Sequence, residues 1–305
     1  MNRSVAVDRL VRVLARAGGV ASREVDTGVV RHHAYVAPGR GRLPPIVWLH
    51  GLADSGTTFL PVMRRLRPHV HSVTILEAGG HGLSSAPRTE YTPAVHLASM
   101  TQALDMLIRE PAILVGNSLG GSTALKYALA RPERVRGLVL VSPAGAPLDD
   151  DATEQVRTAF ALTTPDDARR FLDRVFVERP PLAGLLARKI AEQASRPAVR
   201  DILRTASSAD APTPDELGAI TVPTWLLWGR AERLLPPSML TYLRAHLPAH
   251  ALVASPDGFG HCPHLDQPGR LARLILSFAE LSSTTRVRLT PQALQASRRL
   301  GTLRG

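Results

Sequence analysis

With 305 residues, 44% hydrophobic and 21% charged, the chain can bury most of its unfolded surface without covalent staples, and its single cysteine, Cys262, excludes a disulfide-built scaffold. No uninterrupted apolar run is long enough for a bilayer-spanning helix. The net charge of +11 sits at the ends: residues 1–23 hold Arg3, Arg9, Arg12, Arg16 and Arg23 against Asp8, and residues 281–305 hold Arg286, Arg288, Arg298, Arg299 and Arg304 with no acid. The body is close to neutral and lacks interleaved basic and aromatic residues, which argues against nucleic acid as a partner.

The chain opens on Val7, Leu10, Val11 and Leu14 at helical spacing, broken by arginines. Residues 1–21 therefore read as an amphipathic extension, either an extra helix packed on the body or a helix lying on anionic lipid. The arginines leave no apolar core for an export signal, and the expected location is the cytoplasm. Residues 29–36 read as extended and end at the turn 38–41; residues 45–49 and 72–76 are short apolar strands of the kind buried on both faces. Residues 92–109 read as a helix opened by Thr92 and Pro93, followed by a strand at 112–115, a helix at 119–130 and a strand at 137–141. The stretch 147–215 breaks the alternation, being helical, charged and punctuated by prolines. Alternation resumes with strands at 222–228 and 251–254 and helices at 238–247 and 268–281. The pattern predicts an α/β core over 22–146 and 216–281 built on a mostly parallel sheet. The helical insertion at 147–215 would form a lid over the carboxyl edge, where such sheets bind ligands, and 282–305 would form a basic tail.

The sharpest local signal is Gly116-Asn117-Ser118-Leu119-Gly120-Gly121, set between a strand and a helix. G-x-S-x-G in that context is a nucleophile elbow: the turn is too tight for side chains at Gly116 and Gly120, and it lifts the Ser118 hydroxyl above the sheet. At this point the sequence resembles the α/β-hydrolase family, in particular its lidded esterases and carbon–carbon hydrolases. Further motifs carry the resemblance over residues 24–280: Leu49-His50-Gly51-Leu52, the turn from Glu77 to Ser84, the loop Trp228–Pro236, and Gly258-Phe259-Gly260-His261 with Pro263–Pro268. It implies an eight-stranded sheet with the lid inserted after the sixth strand.

A serine hydroxyl needs a base, and His261 occupies the family's histidine loop; His264, three residues on, is the rival and reads as a cap for the last helix. The resemblance puts Glu232 in the acid position that orients the imidazole, where most relatives carry Asp, so the loop must retreat by a methylene. Asp257 is the rival acid, read as a turn former. The backbone N–H groups of Leu52 and Leu119 are the implied oxyanion donors, with His50 buttressing the loop and Glu77 and His81 forming a structural turn beneath it. His261-Cys262-Pro263-His264 lacks the partners for a tetrahedral metal site, and the glycine-rich stretches lack phosphate-loop spacing, so no metal or cofactor is expected.

The resulting expectation is a serine hydrolase acting on a small apolar ester or thioester. Two alternatives remain open at this level: a carbon–carbon hydrolase of the meta-cleavage type, and a ligand-binding protein that keeps the hydrolase shell. The basic termini suit weak contact with an anionic membrane or an acidic carrier protein. Oligomeric state is not legible.

Overall fold

The computed structural model describes residues 3–179 and 183–284, with side chains from residue 10 onward up to 283. The chain runs α1 (Arg3–Ala17), β1 (Ala21–Asp26), β2 (Arg31–Pro38), β3 (Ile46–Leu49), α2 (Leu60–Leu66), β4 (Ser72–Leu76), α3 (Pro93–Leu107), β5 (Ala112–Asn117), α4 (Leu119–Ala130) and β6 (Val135–Val141). Four helices follow: α5 (Asp150–Ala159), α6 (Pro165–Val175), α7 (Ala183–Ala194) and α8 (Pro197–Thr205). The short α9 (Pro214–Gly218) leads to β7 (Thr224–Leu227), α10 (Pro237–His246), β8 (Leu252–Ala254), α11 (Pro263–Asp266) and α12 (Pro268–Thr284). The expected basic tail beyond α12 lies outside the described residues.

The strands form one eight-stranded sheet in the order β1-β2-β4-β3-β5-β6-β7-β8. β1 and β2 are antiparallel to their neighbours and the other pairs are parallel. Every residue of β3 and β5 is buried, which is why both read as apolar runs and not as alternations. Successive side chains still serve opposite faces. Trp48 and Val115 join Met63 of α2 and Ile275 and Phe278 of α12 on one side. Val47 and Leu114 join Leu104 of α3, Leu125 of α4 and Leu243 of α10 on the other. Sequence periodicity missed β1 because this edge strand is almost wholly exposed and so carries no apolar signal; its pairing with β2, from Ala21↔Val36 to Asp26↔Arg31, is what defines it.

The helices between β6 and β7 have an apolar cluster of their own, including Phe160, Phe171, Leu172, Val175 and Val199. It is closed from below by Ala53, in the loop after β3, and Leu234, in the loop after β7, so the insertion rests on the carboxyl edge of the parallel strands. α6 starts where Thr164 and Asp167 cap each other's backbone N–H groups, a reciprocal arrangement that satisfies two donors the helix cannot. Hydrogen bonds from the Thr164 and Thr163 side chains hold the Asp167 carboxyl well below the usual carboxylate range.

Candidate active site

Ser118 stands between β5 and α4 with φ 54° and ψ −121°, a conformation that costs an L-residue free energy and persists only where its surroundings enforce it. Its N–H donates to the Val141 carbonyl of β6 (3.1 Å), and its own carbonyl accepts from the N–H groups of Gly121 (2.9 Å) and Ala144 (3.0 Å). A Cβ on Gly116 would lie 2.2 Å from the Gly120 carbonyl oxygen, and one on Gly120 would lie 2.2 Å from that of Leu49. Only glycine fits either position.

His261 follows β8 and meets Glu232, from the loop after β7, through a 2.8 Å contact between Nδ1 and Oε2. Both side chains are almost fully buried. The longer glutamate is accommodated by curling the carboxylate onto its own loop: Oε1 accepts the N–H groups of Leu234 (2.8 Å) and Leu235 (3.0 Å). Burial opposes the charge of Glu232, but the adjacent His261 ring and the Leu235 N–H outweigh it and hold the carboxyl below its ordinary value. A carboxylate so placed fixes the Nδ1–H tautomer and turns Nε2 away as the acceptor.

Asn117, whose role the sequence did not reveal, ties this loop to the elbow. Its amide donates to the carbonyls of His261 and Val141, each at 3.0 Å. The Cys262 N–H donates to Val175 at the end of α6 (3.1 Å), linking the same loop to the insertion. The residues weighed against Glu232 and His261 sit in other surroundings. Asp257 is largely exposed and pairs with Arg230 at 3.1 Å, whereas His261 Nδ1 is met by Glu232. His264 does not cap α12; it is buried with its ring stacked on Phe59, centroids 3.9 Å apart, and its Nε2 3.4 Å from the Asp54 carboxylate. His261 and His264 therefore face different partners.

The loop after β3 approaches the elbow closely, since a Cβ on Gly51 would stand 3.1 Å from Ser118 Cβ. Leu52 N–H has no acceptor among the described residues, and Leu119, at the first position of α4, has none within its helix. Three buried groups fix this loop. His50 donates from Nδ1 to the Gly51 carbonyl (2.8 Å) and accepts the Ala78 N–H at Nε2 (3.0 Å). His81 donates to the Gly79 carbonyl (2.8 Å) and accepts the N–H of Ala53 (3.2 Å), a residue held at φ 60°. Burial, with His50 nearby, takes the His81 pKa down to about 3, so the ring stays neutral and keeps the acceptor that Ala53 requires. Glu77 accepts the N–H groups of Gly56 (2.7 Å) and Leu83 (2.8 Å). The turn read in the sequence as structural thus sets the position of the loop after β3. His81→Phe is expected to destabilise the fold by about 1–3 kcal/mol, the cost of a buried N–H left unpaired, measured by urea denaturation.

Two adjoining cavities open on the site and share Leu52 and Phe160 as walls. His261 lines one of about 50 Å³. Ser118 lines the other, about 200 Å³ and mostly apolar, which runs along α4 past Ser122 towards Lys126 and is walled by Val156, Ile202 and Met239 among others.

Asp266 braces the histidine loop, accepting the N–H groups of Gly260 and Val177, each at 3.3 Å. Burial pushes its carboxyl up to about 6 despite those bonds. A group whose folded pKa is raised favours the fold most below its unfolded value, and that contribution is lost as pH rises through about 6. Asp266→Asn cannot titrate, so its stability relative to wild type should be more favourable at pH 8 than at pH 4.5 by about 1–2 kcal/mol, allowing for partial exposure. Thermal melts of both proteins across that range check the sign.

The sequence model describing the alpha/beta hydrolase fold matches residues 44–268. The chain is similar to the pimeloyl-[acyl-carrier protein] methyl ester esterase of Yersinia enterocolitica, 28% identical over 255 residues that cover 78% of this chain and 94% of that protein. It is also similar to the crystal structure of a membrane phospholipase A, with a TM-score of 0.80 and 26% identity over 92% of this chain and 93% of the other. A carboxylesterase from Bacillus subtilis shares the fold at a TM-score of 0.72 and 24% identity, covering 91% of this chain and 98% of that one.

Proposed function

The chain belongs to the α/β hydrolase fold family, and from that premise we propose that it is a serine hydrolase cleaving a carboxylic ester or thioester through an acyl-enzyme. The observation that carries the reading is the buried Glu232–His261 pair, whose loop is hydrogen-bonded to Asn117, the residue preceding Ser118. Esterase activity among similar proteins supports the bond type.

In this reading His261 Nε2 accepts the Ser118 proton as Oγ attacks the acyl carbon, while Glu232 stabilises the imidazolium that forms. The C–O π bond gives its electrons to the carbonyl oxygen, and the oxyanion is met by the N–H groups of Leu52 and Leu119. Removing one such donor typically costs about 3 kcal/mol of barrier. Collapse breaks the bond to the leaving alkoxide or thiolate, which takes the proton from His261. Water, deprotonated by His261, then attacks the acyl-serine, and the acid departs as the Ser118 hydroxyl is restored. The 200 Å³ cavity along α4, walled by Val156, Phe160, Ile202 and Met239, suits an apolar acyl or alcohol chain, and the insertion that roofs it acts as the lid.

A fluorophosphonate probe tests the reading directly. The expected result is stoichiometric labelling of Ser118 in the native protein, competed by p-nitrophenyl butyrate. No labelling under native conditions would assign the cavity to ligand binding without covalent catalysis.

A further inference from the structure

We propose that α1 seats this protein on an anionic lipid bilayer, with the helix lying in the plane of the interface. The inference rests on which way the helix faces and does not depend on the chemistry of Ser118.

α1 is amphipathic, yet three of its large apolar residues face outward. Leu10, Val13 and Leu14 are 58%, 55% and 62% exposed. They sit at i, i+3 and i+4 and so share one face. They are three of the six exposed large hydrophobics among the described residues. The inner side of the helix rests on the body through the smaller Ala15, which packs against the cluster shared with α2 and α12. An apolar stripe presented to solvent by a helix held to the body on its other side marks a docking surface.

Charge selects the occupant. At the carboxyl end of α1, Arg67 donates to the Gly18 carbonyl. Arg40, whose N–H bonds the Arg67 carbonyl, and Arg42, Arg64 and Arg65 are exposed on the same two adjoining segments. Residues 38–43 and 60–71 contain no acid. An aliphatic stripe on a helix whose carboxyl end meets the arginine-bearing segment 60–71 is the pairing that binds anionic headgroups while burying side chains at the acyl boundary, and a polybasic patch supplies the second anchor that one short helix needs. A second copy of the chain would bring two such basic surfaces together. An acidic carrier protein would meet the arginines but leave the aliphatic stripe uncovered. α1 has 15 residues, about 22 Å of helix, which is short of a span and suited to lying flat. It packs beside α7, whose Leu186 and Ile190 line the smaller cavity, so docking brings that wall of the site to the lipid.

The test is flotation of the full chain with vesicles of phosphatidylglycerol and phosphatidylcholine, against vesicles of phosphatidylcholine alone. The expected result is co-flotation with the anionic vesicles that weakens at high salt. Leu10→Asp/Leu14→Asp should lower the partition coefficient by about tenfold or more, and Arg64→Gln/Arg65→Gln should lower it and flatten its salt dependence. Circular dichroism and turnover of p-nitrophenyl acetate without vesicles should match wild type for the leucine variant, because α1 contributes nothing to the catalytic residues. Absence from the floated fraction, or equal flotation of the leucine variant, would overturn the proposal. So would a dimer in light scattering that the leucine variant converts to monomer, which would assign the stripe to a second copy.

Discussion

Ser118→Ala should lower kcat/KM for p-nitrophenyl butyrate by about 10⁴-fold or more, the loss expected when the nucleophile of a serine hydrolase is deleted and only binding and oxyanion donors remain. Structurally the substitution is small. The strained turn is imposed by backbone contacts, namely the N–H of Ser118 on Val141 and its carbonyl on Gly121 and Ala144, and by glycines at 116 and 120 that admit no side chain. Alanine keeps all of these. The melting temperature should therefore stay within a few degrees of wild type, and the fluorophosphonate label should vanish with the activity. Retention of hydrolysis in a folded Ser118→Ala protein would remove this serine from the chemistry and leave the elbow as a structural turn.

The parts of the fold that were legible in the sequence are those whose cause is local. Gly116 is demanded by a collision with Gly120, four residues on, and β3 and β5 announce themselves because burial on both faces leaves an unbroken apolar run; Gly120, whose Cβ would meet Leu49 of β3, was legible through the motif. The His261 and Glu232 loops were legible only through their order and their resemblance to a family, because the 2.8 Å contact between them joins separate strands. What escaped needs tertiary knowledge. His264 looked like a cap three residues from His261, but its place is set by Phe59 and Asp54, from a loop some 200 residues earlier in the chain. β1 escaped because exposure erased its pattern. The spacing of α1 revealed a helix with an apolar face but not that Leu10, Val13 and Leu14 would face away from the body. Periodicity gives the existence of a stripe, and only packing gives its direction.

Glu232→Gln should lower kcat on the same ester by about 10³–10⁴-fold while leaving KM nearly unchanged, since the acid acts on the imidazole and not on bound substrate. The amide matches the carboxylate in volume, and its oxygen can still accept from Leu234 and Leu235 as Oε1 does now. That forces the NH₂ group towards His261 Nδ1, where it can only donate. The ring must then carry its proton on Nε2, the atom that has to receive the proton of Ser118, and the developing imidazolium loses its counter-charge in a buried site. Glu232→Asp separates reach from charge. The carboxylate remains, but one methylene shorter, and two loop N–H groups compete with His261 for it. A loss of about 10²-fold is expected, smaller than for Gln because the correct tautomer is still favoured. Asp257→Asn should change nothing, as that carboxylate pairs with Arg230 on the surface. The reverse order, with Asp257→Asn inactive and Glu232→Gln active, would mean that the loop after β7 serves packing alone and that His261 takes its orientation from elsewhere.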